Sequence, residues 1–229
     1  GGVGMAKGFK TAGEQLEAER CRRDAHYFVF TQVRTKDEHD QVEPIKALPD
    51  ELYLRSVLDS LLVSGHVLKV GEAAWARRVG HGDLWLTALS TSGMLMVEKS
   101  RQVMATWVCC AYLLWRAKYR DHQLILVQSK REEDAANLVF CKEPFVARIS
   151  FMEHLLPGHL RTLSFPKCAA YGLLTFPNGS RIWGIPEGAD IIRSNTPSVL
   201  FADEAAFQPE FGGAYTAAFK EAVGAGAAQ

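Results

Sequence analysis

Leu124-Ile125-Leu126-Val127-Gln128-Ser129-Lys130-Arg131-Glu132 is the stretch that decides the fold class. Four apolar residues bounded by polar ones are too few for a helix and read as a buried strand. Ser129 and Glu132 then stand at capping-box spacing, which predicts a helix from Arg131 to about Ile149. Upstream, Thr106 to Lys118 is apolar nearly all round and reads as a buried helix, with Trp107, Tyr112, Leu113 and Trp115 assigned to its core contacts. Arg116, Lys118 and Arg120 crowd its C-terminal end, where cations oppose the negative end of the helix dipole. Met94-Leu95-Met96-Val97 reads as a further short strand, joined to that helix by a tight connection over Lys99 to Ala105. Strand, loop, helix, strand, helix is the alternation of an α/β fold, a mostly parallel sheet flanked by helices.

The same pattern continues towards the C-terminus. Tyr171 to Phe176 and Ser180 to Ile185 are β-rich runs separated by Pro177-Asn178-Gly179, a hairpin signal. Val199-Leu200-Phe201-Ala202 reads as another buried strand of parallel type and ends on Asp203-Glu204. The first 45 residues are polar and charged. Within them Arg20-Cys21-Arg22-Arg23 reads as a solvated helix face. Asp50 is a plausible N-cap for a helix carrying Leu52, Leu54, Val57, Leu58, Leu61 and Leu62. The predicted organisation is a helical, charged N-terminal appendage over residues 1–66 and a P-loop NTPase-like domain over residues 67–229.

Composition narrows the function classes. The 229 residues are 48% hydrophobic and 23% charged, which suits a packed domain and excludes disorder as the main state. Lys plus Arg and Asp plus Glu both number 26, so the formal net charge is zero. A chain that coats nucleic acid through bulk charge needs a basic excess, so any DNA contact rests on local patches or on an assembly. Cys21, Cys109, Cys110, Cys141 and Cys168 are scattered and never spaced as a C-x-x-C motif, against a zinc ribbon or a disulfide framework. The seven histidines show no metal spacing either. The longest apolar stretch, Val103 to Trp115, is too short to span a bilayer, so no membrane partner is expected.

Two segments carry candidate chemistry. Strands of a parallel sheet deliver ligand-binding groups at their C-terminal ends. Asp203 there is placed to hold Mg²⁺, and Glu204 to orient or deprotonate an attacking water, the Walker B arrangement of phosphate-cleaving enzymes. The alternative is a helix N-terminus with acids in its first turn. The second segment, Lys99-Ser100-Arg101-Gln102-Val103-Met104-Ala105-Thr106, lies between a predicted strand and a predicted helix. A phosphate cradle needs free backbone N–H groups, a cation and a hydroxyl for Mg²⁺. Lys99 and Arg101 supply the charge and Thr106 the hydroxyl. The strict Gly-x-x-x-x-Gly-Lys pattern is absent. The alternative here is a polar turn with a cationic rim.

Taken in order, these segments resemble the ATPase domain of the large terminase subunit, the DNA-packaging motor of tailed bacteriophages. Its Walker A loop commonly reads Ser-Arg-Gln-x-Gly-Lys-Thr, and the frame here is Ser100-Arg101-Gln102-Val103-Met104-Ala105-Thr106. Met104 and Ala105 depart from the Gly and Lys. Some terminases carry the lysine at the front edge of the loop, the place that Lys99 occupies. Val199 to Ala202 with Asp203-Glu204-Ala205-Ala206-Phe207 is similar to the family's Walker B segment, and Pro177-Asn178-Gly179-Ser180 and Arg193-Ser194 resemble landmarks before it. The resemblance covers about Met94 to Phe211.

The resemblance implies an ATP hydrolase that uses Mg²⁺ to drive double-stranded DNA into a procapsid. Residues 99–106 would bind the phosphates of ATP, with Lys99 on the β- and γ-phosphates. Thr106 and Asp203 would ligate Mg²⁺, and Glu204 would be the catalytic residue that positions or activates the attacking water. Arg193 is the candidate for the cation that stabilises transition-state charge, with Arg148, Arg161 and Arg181 as competitors. The implied partners are the portal protein, the small terminase subunit and further copies of the chain in a homo-oligomeric ring, in the host cytoplasm and transiently at the procapsid portal. The family's C-terminal nuclease domain is expected to be missing, because the chain ends soon after Glu204, so no nuclease activity is expected. Two rival expectations stand beside this one: a catalytically weak or inactive nucleotide-binding or structural remnant, and another P-loop NTPase of helicase type.

Overall fold

A computed structural model describes residues 11–37, 39–45, 105–188, 190–209 and 212–213. They fall into two compact units that divide between Trp115 and Arg116. The predicted strand at Met94–Val97, the helix begun by Asp50 and the boundary at 66/67 lie outside the described residues.

In the N-terminal unit, α1 (Ala12–Arg23) opens on a capping box: Glu14 N donates to Thr11 Oγ1 at 3.2 Å, and Thr11 N to Glu14 Oε2 at 3.2 Å. Arg22 and Arg23 stay exposed beside Glu19, the solvated face that the sequence suggests. Arg20 lies 3.9 Å over the Tyr27 ring, and Cys21 is turned inwards and fully buried. Phe28 and Val29 are buried in a short π-helical segment, Phe28–Gln32. After it comes an antiparallel pair, β1 (Arg34–Lys36) and β2 (Val42–Pro44), so the appendage predicted as helical also carries a two-stranded sheet. Helix α2 (Ala105–Tyr119) matches the predicted Thr106–Lys118 within a residue at either end. Tyr112, Leu113 and Trp115 are buried as expected, whereas Trp107 is half-exposed. The Trp115 indole donates to the Cys21 carbonyl at 2.8 Å, a tie for which the sequence carries no signal.

The C-terminal unit is built on a sheet of five strands: β3 (Leu124–Gln128), β4 (Ala169–Ala170), β5 (Leu173–Thr175), β6 (Arg181–Ile185) and β7 (Val199–Ala202). Their order is β4-β5-β6-β3-β7. Strand β3 runs parallel to both β6 and β7, and its Ile125, Leu126 and Val127 are fully buried. The β4–β5 and β5–β6 pairs are antiparallel. The described sheet is therefore mixed rather than mostly parallel, because the Asn-Gly turn folds β5 straight back onto β6. That turn does two jobs. Gly179 takes up φ +81°, and Asn178 Nδ2 donates to the carbonyls of Ala117, Lys118 and Arg120, closing the C-terminal end of α2. β7 is parallel, as predicted, but half-buried rather than buried, since it forms one edge of the described sheet.

Two local expectations are corrected. The capping box at Ser129 does not form: α3 (Glu132–Val139) starts after Arg131, without a side-chain cap. Ser129 is still engaged with the sheet, its N–H donating to Ile185 O at 3.2 Å, so it stands two residues too early. Nor does one helix run to Ile149. α3 stops at Val139 and α4 (Arg148–Leu155) begins after an irregular turn. Pro144 lies in that turn; it lacks an N–H and disfavours the helical region for Glu143. One face of the sheet is covered by α3 at a separation that only glycine permits. A Cβ on Gly184 of β6 would lie 2.9 Å from the Ala135 carbonyl oxygen. On the other face Leu126, Ile185 and Ile192 form a fully buried cluster.

Lys118 stands in the last turn of α2, as the sequence reads it. It is fully buried against Glu153 of α4, Nζ to Oε2 at 2.8 Å. Its remaining protons go to Leu160 O at 2.8 Å and Thr162 Oγ1 at 2.9 Å. Glu153 Oε1 accepts from the N–H groups of Thr162 and Leu163. A buried pair whose charges are hydrogen-bonded on both sides is tolerated, but loss of one partner strands a charge. Glu153→Ala is expected to lower stability by about 3–5 kcal/mol in urea denaturation. A loss below about 1 kcal/mol would show that water reaches the pair.

Candidate functional site at the C-terminal edge of the sheet

Parallel pairing puts Ile185, Gln128 and Ala202 in one row, because Gln128 is the register partner of both neighbours. The three segments beyond these strand ends therefore emerge on the same edge: residues 186–188 and 190–193 after β6, Ser129 after β3, and Asp203-Glu204 after β7. Asp203 is half-buried, and both of its backbone polar groups are engaged. Its N–H donates to Gln128 O at 2.9 Å, and its carbonyl accepts from Gln208 Nε2 at 2.8 Å. Glu204 is exposed and sits in the left-handed region, φ 52° and ψ 41°. For a glutamate this conformation costs about 1–2 kcal/mol, and such strain persists only where neighbouring structure enforces it. A single 3-10 turn, Ala205–Phe207, comes next.

Gln128 ties the row together. Its Nε2 donates to Gly188 O at 2.9 Å and Pro186 O at 3.3 Å. Both partners are carbonyl acceptors, so the amide nitrogen must face them and Oε1 must face away. That oxygen is buried without a hydrogen-bond partner, as are Glu187 Oε2 and Gln208 Oε1. Buried acceptors are rarely left unanswered, and these three lie on or beside the loops of one edge. The loop after β6 also lines a cleft of about 550 Å³, with Pro186, Glu187, Asp190, Ile191 and Arg193 among its walls. Arg193 ends the short helix α6 (Asp190–Arg193; the four-residue turn Phe165–Cys168 is α5). Its Nη1 lies 3.4 Å from Asp190 Oδ1, and the arginine is well exposed. An exposed pair of this kind is worth at most about 1 kcal/mol, so the guanidinium is readily released.

Of the sequence-predicted residues, Asp203, Glu204 and Arg193 share this edge. Arg181, a competitor, opens β6 at the opposite edge. Arg161 donates to Leu156 O at 2.7 Å, and Arg148 is the first residue of α4. Ala105, buried, and Thr106, half-buried, open α2 in the N-terminal unit. Lys99, Ser100, Arg101, Gln102, Val103 and Met104 lie outside the described residues. Gln128 and Gln208 were missed. Gln128 had a readable signal, a polar residue ending an apolar strand; Gln208 had none.

Among the described residues no group of three or more His, Cys, Asp or Glu side chains could hold a metal unaided. Mg²⁺ does not need such a cage: it commonly takes one or two carboxylates, keeps several waters and completes its shell with substrate phosphates. One half-buried carboxylate beside unanswered buried oxygens fits that mode of binding. Among the described residues no helix is long and apolar enough to cross a membrane. The chain matches no protein-family model and no curated protein.

Because glycine carries no penalty at positive φ, Glu204→Gly is expected to raise stability by about 0.5–1 kcal/mol in thermal or urea denaturation. A loss of stability would contradict the left-handed assignment.

Proposed function

We propose that the chain is the ATPase module of a viral DNA-packaging motor of the large-terminase type. The observation that carries this reading is the delivery of Asp203 and Glu204 from the end of a parallel strand, with Glu204 exposed in a strained conformation. Acids in that position, on a strand preceded in the chain by a predicted strand–loop–helix bearing Lys99 and Thr106, are the parts that phosphoryl transfer needs.

In this reading ATP is the substrate and Mg²⁺ its companion ion. Asp203 holds the ion together with the phosphates, and the ion's chemistry is to offset the charge that builds on the transferred phosphoryl group. Thr106 is the further ligand that the resemblance offers. The loop 99–106 cradles the phosphates, with Lys99 as a point charge in place of the usual loop lysine. Glu204 orients the attacking water and accepts its proton. Arg193, loosely held by Asp190, is free to move onto developing charge, an effect worth roughly 10³–10⁵ in rate when an arginine is well placed. A neutral chain grips double-stranded DNA through a few lining cations once assembled as a ring on the portal with the small terminase subunit. The place of action is the host cytoplasm and the procapsid portal.

A second reading, nucleotide binding without turnover, is favoured by Met104 and Ala105 at the usual Gly and Lys positions. The two separate cleanly. Glu204→Gln is expected to cut Mg²⁺-dependent ATP turnover at least about 100-fold while ATP still binds, the size of a lost general base. Binding without turnover in the unaltered chain would support the second reading. Lys99→Ala is expected to weaken ATP binding about tenfold in calorimetry, as loss of a phosphate-bound charge requires. Unchanged affinity would remove Lys99 from the site.

A further inference from the structure

A left-handed backbone costs Glu204 free energy, so the surrounding turn must hold it there. The peptide unit that defines its φ is the one carrying the Asp203 carbonyl. That carbonyl is the acceptor for Gln208 Nε2, at 2.8 Å. Gln208 thereby closes a ring from residue 208 back to residue 203. Within the ring, Phe207 N donates to Glu204 O at 2.9 Å and Gln208 N to Ala205 O at 3.1 Å. The preceding peptide, which carries the Asp203 N–H, is fixed to the sheet through Gln128 O. Gln208 is only 4% exposed, and its Oε1 is buried with no partner. A leucine there would fill similar space without stranding an oxygen, so packing alone does not account for an amide at this position.

We infer that Gln208 is the positioning residue of this edge: its amide N–H locks the turn 203–208 so that the Glu204 carboxylate is held out from the end of β7. The inference rests on the reading of Glu204 as the carboxylate that activates water, but its geometric core is independent of ATP.

The test uses the full chain and two variants. Gln208→Leu removes the amide, and Gln208→Glu keeps its shape but has no donor for a carbonyl. Amide hydrogen exchange is followed at Phe207, with Ile125 to Val127 of β3 as the internal reference for an intact fold. Both variants are expected to speed exchange at Phe207 at least about fivefold with the β3 amides unchanged, as local opening of a turn requires. Unchanged exchange at Phe207 in a folded variant overturns the inference. Loss of β3 protection in both variants also overturns it, because Gln208 is then a core residue. If only Gln208→Leu loses the fold, the Gln208→Glu result decides. In ATPase assays the folded variants are expected to lower kcat about tenfold or more with KM for ATP within about twofold, the pattern of a group that acts only in the transition state. A rise in KM with kcat unchanged contradicts a positioning role. If the unaltered chain has no ATPase activity, the phosphoryl-transfer reading fails by itself and the exchange result still decides what Gln208 does.

Discussion

The parallel pairing of β3 with β6 on one side and β7 on the other is the constraint on which the candidate site depends. Burial of Ile125, Leu126 and Val127 makes β3 the strand that cannot slip, since a shift of one residue would turn this apolar run out of the core. With β3 fixed, Ile185 and Ala202 are fixed beside Gln128. The chain beyond each of them leaves the sheet at the same edge. Asp203, Glu204 and the loop that carries Arg193 share that edge because of backbone register.

Above this rigid row the structure is under tension. Among the described residues three side-chain oxygens are buried without partners, and a glutamate is held in a conformation that suits glycine. A chain selected only for stability would tend to shed such features, since each costs free energy. Among the described residues of the same unit, the Lys118–Glu153 network by contrast satisfies three ammonium protons and both carboxylate oxygens. The contrast between a satisfied interior and an unsatisfied edge favours the edge as the place where a ligand binds.

Much of the fold was legible in the sequence where one local signal dominated. The run Leu124–Val127 named a strand, the apolar stretch from Thr106 named a helix, and Pro177-Asn178-Gly179 named a hairpin. Reading failed where two signals competed. Ser129 and Glu132 had capping-box spacing, but Ser129 was already bonded to Ile185 across the sheet. The helical pattern beyond Val139 was apolar enough to continue, and Pro144 interrupted it. Of the site, Asp203 and Glu204 could be read because strand ends deliver ligands. Gln208 could not, because its part is a side-chain bond to a backbone carbonyl five residues earlier, and no local spacing marks that.

The central claim is that the edge formed by Gln128, Asp203 and Glu204 receives a Mg²⁺-bound nucleotide. The most direct measurement is the change in backbone amide chemical shifts of the full chain on titration with Mg²⁺ and a non-hydrolysable ATP analogue. Within the sheet the changes are predicted to gather at Gln128, Ser129 and residues 203–208. Changes confined to the opposite edge, around Leu124, Arg181 and Val199, or no changes at saturating nucleotide, would contradict it.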